Sequence, residues 1–219
     1  MVKVQTDDDG LQWLYRELAE LDRYSIEIGI FGSDNKDENF YAIIANVHEF
    51  GMTIKPVNGK NLAIPVHPNA IGKNPKDFAD GEQKPMFSRK NGISKVWALG
   101  KENGKDGELE PYFILKKSVN IPERSFIRST FDEKNDEWMD FLEKQIEKLC
   151  ELEIDAQTVF KRLGARIAGD IQDKIRDIRT PKNSPLTIEN KGFDNPLIDT
   201  GGLRMHVTWK LVRDDGEYV

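Results

Sequence analysis

The 219-residue chain carries 32 Lys and Arg against 38 Asp and Glu, a formal charge of −6, which argues against a generally basic nucleic-acid binder and leaves room for one domain with an insertion or two small domains. A single cysteine, Cys150, excludes an intrachain disulfide and a cysteine-based zinc site. No apolar run approaches the roughly 20 residues of a membrane span, and Asp7, Asp8 and Asp9 leading into a charged helix are unlike a signal peptide, so synthesis in a reducing cytoplasm is expected.

Leu11 to Leu21 places Leu11, Leu14, Tyr15, Leu18 and Leu21 on one helical face. Ser25 to Phe31 alternates Ile26, Ile28 and Ile30 against Ser25, Glu27 and Gly29, the period of a half-buried strand. Helical spacing returns over Phe40–Phe50, with Gly51 placed to end it. Asn61–Val66 reads as a short strand whose Pro65 favours an edge position. The stretch His67–Asn91 is rich in glycine, proline, asparagine and lysine and is long for a connection. Ile93–Leu99 and Pro111–Val119 are strand candidates flanking a hairpin loop at Gly100–Gly107.

Proline then turns the chain at Ile121–Arg128, and Asp132–Glu153 resumes helical spacing through Trp138, Phe141, Leu142, Ile146, Leu149 and Leu152. Its other face is acidic, from Asp132, Glu133, Asp136, Glu137, Asp140, Glu143, Glu147, Glu151 and Glu153 against only Lys134, Lys144 and Lys148. The longest element is an amphipathic helix over Asp155–Ile178, about 35 Å long, with Val159, Leu163, Ile167, Ile171 and Ile175 along one face. Asp155 is its N-cap, Ile154 and Val159 are positioned as a hydrophobic staple, and Pro181 stops it near Arg179. Gly164, Ala165, Ala168 and Gly169 form a small-residue strip expected to receive another backbone, most simply the acidic helix. Arg179–Pro196 reads as an irregular loop, and Met205–Val212 as a final strand. The fold class expected is α+β: an antiparallel sheet of Ile26–Ile30, Pro111–Val119 and Met205–Leu211 with long helices on one face, in a single domain over 1–219 with a loop-rich insertion at about 67–109.

Candidate chemistry is sparse. His48-Glu49 begins like a metalloprotease helix, but Met52 stands where the second histidine belongs, and His67 and His206 have no ligand spacing to it. Gly100-Lys101 and Gly104-Lys105 lack phosphate-loop spacing, and Cys150, beside Leu149 in a helix, reads as a packing residue. The acidic face reads as a solvated surface. No catalytic residue, cofactor-binding residue or metal ligand is assigned.

Three short segments, in order, carry a resemblance. Val47-His48-Glu49-Phe50-Gly51 closes an early helix. Ile121-Pro122-Glu123-Arg124-Ser125-Phe126-Ile127-Arg128 looks like an IPARPFLR segment, with Glu123 for alanine and Ser125 for proline. Pro185-Leu186 followed by Lys191 and Pro196-Leu197-Ile198-Asp199-Thr200-Gly201 with Leu203 looks like a PL…K…PLIDTG-L signature. Together they resemble the virion morphogenesis proteins of tailed phages, which are neck, tail-completion and head–tail joining proteins.

That resemblance implies a non-enzymatic α+β subunit without cofactor, assembled as a homo-oligomeric ring, a hexamer being one stoichiometry it allows. The partners implied are other neck or tail proteins of a phage or prophage, with DNA passing through the ring without specific binding and no membrane. The location implied is the virion neck or tail, and the host cytoplasm during assembly. An acidic helix lining the channel would repel phosphate, and the His67–Asn91 stretch is expected to order on docking. The motif residues carried over, as structural or interface positions, are Glu49, Phe50, Gly51, Ile121, Pro122, Arg124, Phe126, Arg128, Pro185, Leu186, Pro196, Leu197, Asp199, Thr200 and Gly201. Two other classes remain as alternatives: a DNA-binding accessory protein of phage assembly, which a salt-dependent DNA shift would mark, and a metal-dependent hydrolase using clustered carboxylates, which stoichiometric metal would mark.

Overall fold

A computed structural model describes residues 8–32, 36–78, 97–103, 108–216 and Tyr218. In chain order the elements are α1 (Asp8–Leu21), β1 (Tyr24–Gly29), α2 (Lys36–Phe50), β2 (Met52–Ile54), β3 (Leu62–Pro65), two single 3₁₀ turns (Pro68–Ala70 and Pro75–Phe78), β4 (Trp97–Asn103), β5 (Glu108–Lys116), β6 (Val119–Ile121), α3 (Arg128–Cys150), α4 (Ala156–Asp177), α5 (Pro185–Lys191), α6 (Gly202–Met205) and β7 (Thr208–Arg213). Helices combined with small antiparallel sheets make the class α+β, as expected. The chain divides into two compact units: Met1–Phe50 with Glu123–Lys182 and Asn195–Val219, and Gly51–Pro122 with Asn183–Asp194. The expected insertion at about 67–109 falls within the second.

In the first unit α3 and α4 pair antiparallel. Trp138 Nε1 donates to Asp170 at 2.8 Å, Arg162 donates to Gln145 at 3.0 Å, and Lys174 meets Glu133 at 2.5 Å. Asp155 caps α4 by accepting from the Thr158 N–H at 2.7 Å, and Ile154 packs on the cluster that buries Val159, as the staple requires. Beneath α4 lies a two-stranded sheet, β1 against β7, with Ile26 opposite Leu211 and Ile28 opposite Trp209. The core joins Ile171, Ile175 and Ala168 of α4 to Phe126, Leu197, Leu203 and Val207. Leu14 and Leu21 of α1 pack with Tyr24 on a second cluster around Leu149 and Val159.

The register shows which edge of β1 is open. The Asp214 N–H donates to the Arg23 carbonyl at 2.8 Å while the Arg23 N–H turns back to the Glu20 carbonyl at 3.0 Å, so Arg23–Asp214 is the last position of the kind that exchanges hydrogen bonds, with one of its two bonds made. In an antiparallel ladder the exchange recurs every second residue, at Ser25–Val212 and Glu27–Lys210. The N–H and C=O groups of Tyr24, Ile26 and Ile28 therefore point away from β7, and take no hydrogen bond among the described residues.

The second unit holds a three-stranded sheet in the order β3–β5–β4 and a separate ribbon of β2 against β6. Pro65 lies on β3, an edge strand, where its missing N–H costs no ladder bond. Ala70, Tyr112 and Phe113 form its buried cluster.

Several expectations need correction. The single sheet is replaced: Pro111–Lys116 pairs with Leu62–Pro65 and Trp97–Leu99, while β1 pairs only with β7. Alternation fixes which face of a strand is buried but not which strand lies beside it. Residues 93–96 of the predicted strand, 104–107 of its hairpin loop, and 79–91 of the long loop lie outside the described residues. The supposed irregular loop contains α5, where Ser184 accepts from the Thr187 N–H at 3.2 Å and Gly192 ends the helix at φ 78°. The final strand begins at Thr208, because Gly202–Met205 forms a helical turn that leaves Met205 exposed.

The small-residue strip also reads differently. A Cβ on Gly164 would meet the Trp209 ring at 2.7 Å, so the space is filled by an indole of β7 and not by a helix backbone. Gly169 has nothing within 4 Å of its Cβ position, and Ala165 is exposed. Cys150 is exposed rather than packed, since α3 ends there. Leu152 adopts φ 64°, with the Leu152 and Glu153 N–H groups returning to the Leu149 and Lys148 carbonyls at 2.9 Å. This is the reverse turn that usually places glycine at the residue after the cap, so leucine there concealed the helix end.

Candidate functional site

The residues singled out by the first two motif segments meet at the end of α2. Glu49 is 4% exposed, and its carboxylate faces the N-terminus of α3. One oxygen accepts from Ser125 Oγ at 2.7 Å, the Arg128 N–H at 3.0 Å and Arg128 Nε at 3.1 Å. The other accepts from the Phe126 N–H at 2.8 Å and the Ile127 N–H at 3.0 Å. A helix start leaves its first N–H groups without partners, and the residue at the cap of α3, Ile127, has no side chain to supply one. Glu49, distant in sequence, supplies it instead.

Burial alone would raise the Glu49 carboxyl, but the Ile127 N–H, the Ser125 hydroxyl and the Arg128 and Phe126 N–H groups outweigh it, and the net shift is downward. Arg128 closes the clip over the outside. Its Nη2 donates to the Glu49 carbonyl at 2.6 Å and to Glu123 at 2.8 Å, and its guanidinium lies 4.5 Å over the Phe50 ring.

Arg124, 5% exposed, does the same for the chain after α4. Its N–H donates to the His48 carbonyl at 2.7 Å, its Nε to the Pro181 carbonyl at 2.7 Å, and its Nη2 to the Lys182 carbonyl at 3.0 Å. The planar fork donates to the two carbonyls from two separate nitrogens, a fixed spacing that a lysine's single nitrogen does not reproduce. Phe126, fully buried between the two arginines, enters the core cluster.

The third segment joins that same cluster through Leu197 and Leu203. Pro196 is buried beside them, while Asp199 and Thr200 are exposed. Gly201 turns the chain at φ 87°, a conformation that disfavours any side chain. Gly202 lies against Tyr41, whose ring stacks on His206 at 4.1 Å; a Cβ there would come within 2.6 Å of Tyr41 Cε1. The remaining motif residues belong to the second unit and are not part of the clip: Gly51 at φ 68°, Ile121 paired with Met52, Pro122, and Pro185 and Leu186 opening α5.

Sequence reasoning gave no role to Lys182 and Tyr41, took Ser125 only as a departure within its motif and Pro181 only as a helix stop, because each acts on a residue far along the chain. The histidines have local structural work. His67 caps a 3₁₀ turn by accepting from the Asn69 N–H at 3.1 Å and packs on Tyr112, while His206 ends α6 instead of sitting in a strand.

Two concavities flank the clip in the first unit. A polar cleft of about 580 Å³ is lined by Glu123, Arg124, Lys174, Asp177 and Arg179, and these charges are already engaged: Lys174 with Glu133, Asp177 with Arg176, Glu123 with Arg128. An apolar groove of about 380 Å³ runs between β1, α3 and α4, lined by Ile26, Ile28, Phe131, Trp138, Met139, Leu163 and Ile167. Among the described residues no group of three or more His, Cys, Asp or Glu side chains is placed to hold a metal ion. No helix among them is long and apolar enough to cross a membrane. Comparison with protein-family models, with curated proteins and with solved structures finds no significant match to this chain.

Proposed function

We propose that the chain is a structural, non-enzymatic protein of tailed phages, a subunit of the neck or tail-completion ring at the head–tail junction. The observation that carries this reading is that the three resembling segments contribute to one physical unit. Glu49 of the first bonds the backbone of the second, and Phe126 of the second shares a buried cluster with Leu197 and Leu203 of the third. Shared packing is what segments acting as one scaffold require, and it supports the reading. On this reading the motif residues act as scaffold: they fix where α3 starts and where the chain leaves α4, and contact with partners falls to the surfaces around them.

The partners proposed are further copies of the chain and neighbouring neck or tail proteins, with DNA passing through without sequence-specific contact. A net charge of −6 suits a protein that must not retain DNA. The test is the native mass of the purified chain followed by negative-stain imaging. Closed rings of uniform size are expected, with no DNA shift at low salt. A salt-dependent DNA shift, or stoichiometric divalent metal in the purified protein, would overturn the reading in favour of a DNA-binding protein or a hydrolase.

A further inference from the structure

Two surfaces are left unfilled, one on each unit, and they are opposite in character. On the first unit, the apolar groove exposes Phe131 and Met139 (55% and 48% exposed), and beside them runs the open edge of β1. Further around α3 stand Asp132, Asp136, Asp140 and Glu143, which take part in no ion pair among the described residues, unlike Glu133 and Glu137. On the second unit, all three residues of β2 are exposed. Met52 and Ile54 (44% and 37% exposed) share a ribbon face with Val119 and Ile121, and Val57, 93% exposed, follows. None of these belongs to a buried cluster. The segments flanking the ribbon carry Lys55 after β2, Lys60 before β3, Lys116 at the end of β5 and Lys117 before β6, all exposed and unpaired among the described residues, and no carboxylate lies within 51–62 or 116–121. A two-stranded ribbon with an uncovered apolar face is marginal in water and gains from being covered.

We infer that the β2–β6 ribbon of one copy docks on the β1–α3 groove of a second copy. Met52 and Ile54 would enter the groove, the ribbon would lie along the open main-chain groups of Tyr24, Ile26 and Ile28, and the flanking lysines would face the unpaired carboxylates of α3. The two surfaces differ, so the contact is head-to-tail, the type that closes into a ring or runs on as a filament. This rests on the ring reading and names its interface. It assigns the unpaired α3 carboxylates to a subunit contact and not to a channel wall.

Cysteine cross-linking tests it. In a Cys150→Ser background, Ile54→Cys is placed in one preparation and Met139→Cys in a second, differently tagged one. Oxidation of the mixture is expected to give a two-tag dimer at least about tenfold above the pairing of Ile54→Cys with a Gly169→Cys control. Lys55→Glu with Lys117→Glu weakens association by about tenfold, and mixing that variant with Asp136→Lys plus Glu143→Lys restores it. Oligomers without the cross-link overturn the docking and leave the ring reading standing. A cross-link in open filaments supports the docking and counts against the ring. A chain that stays monomeric with no cross-link overturns the docking.

Discussion

Replacing Glu49 by glutamine preserves the shape of the side chain and changes only what it can accept. The carboxylate takes five hydrogen bonds and the amide has one acceptor oxygen. The less costly orientation puts the carbonyl toward the Phe126 and Ile127 N–H groups. The amide NH₂ then faces Ser125, whose hydroxyl can rotate to accept, and the Arg128 N–H and Nε, which cannot. Arg128 Nε is on a half-exposed side chain and can turn to water, so the main loss is one backbone N–H and the charge-assisted character of the rest. The expected destabilisation of Glu49→Gln is about 2–3 kcal/mol. Urea unfolding followed by tryptophan fluorescence reads it, since Trp13, Trp138 and Trp209 all lie in the first unit.

The same variant has a pH signature. The folded carboxyl lies below its ordinary value of 4.5, so the unfolded chain binds the proton more readily. The stability that Glu49 contributes is therefore full above about pH 4.5 and is lost as pH falls through the folded value. Wild type should lose stability more steeply than Glu49→Gln below that point. A variant within about 0.5 kcal/mol of wild type at pH 7, or one with an unchanged acid limb, would refute the capping argument.

Other outcomes follow from the same geometry. Gly164→Ala pushes a methyl into the Trp209 ring and is expected to cost about 1–3 kcal/mol, whereas Gly169→Ala, with open space around it, should gain up to about 1 kcal/mol; urea midpoints compare them. Leu152→Gly relieves the left-handed backbone and should stabilise by up to about 1 kcal/mol, seen as a raised thermal midpoint. Arg124→Lys leaves one of the Pro181 and Lys182 carbonyls without its donor and should cost about 1–3 kcal/mol in the same urea assay, with slower-protected amides around 178–182 becoming fast in hydrogen exchange. Asp155→Ala removes the α4 cap and costs about 1 kcal/mol, measured by circular dichroism.

The sequence by itself determined the local features of this protein. Period two marked β1, and period 3.6 marked α3 and α4. Asp155, Ile154 and Val159 announced the start of α4 because cap and staple act within one turn. Gly51 and Pro65 marked an ending and an edge because their backbone limits travel with them. Only the tertiary structure decided what those elements meet. Nothing local to Glu49 says that it will cap a helix beginning at Arg128, and nothing near Gly164 says that Trp209 will fill its missing side chain. The partner of β1, the separation of β5 into another sheet, and the end of α3 at a leucine in glycine's place were set the same way. Hydrogen-bond and packing partners are chosen in space, and a residue's own neighbours along the chain carry no record of that choice.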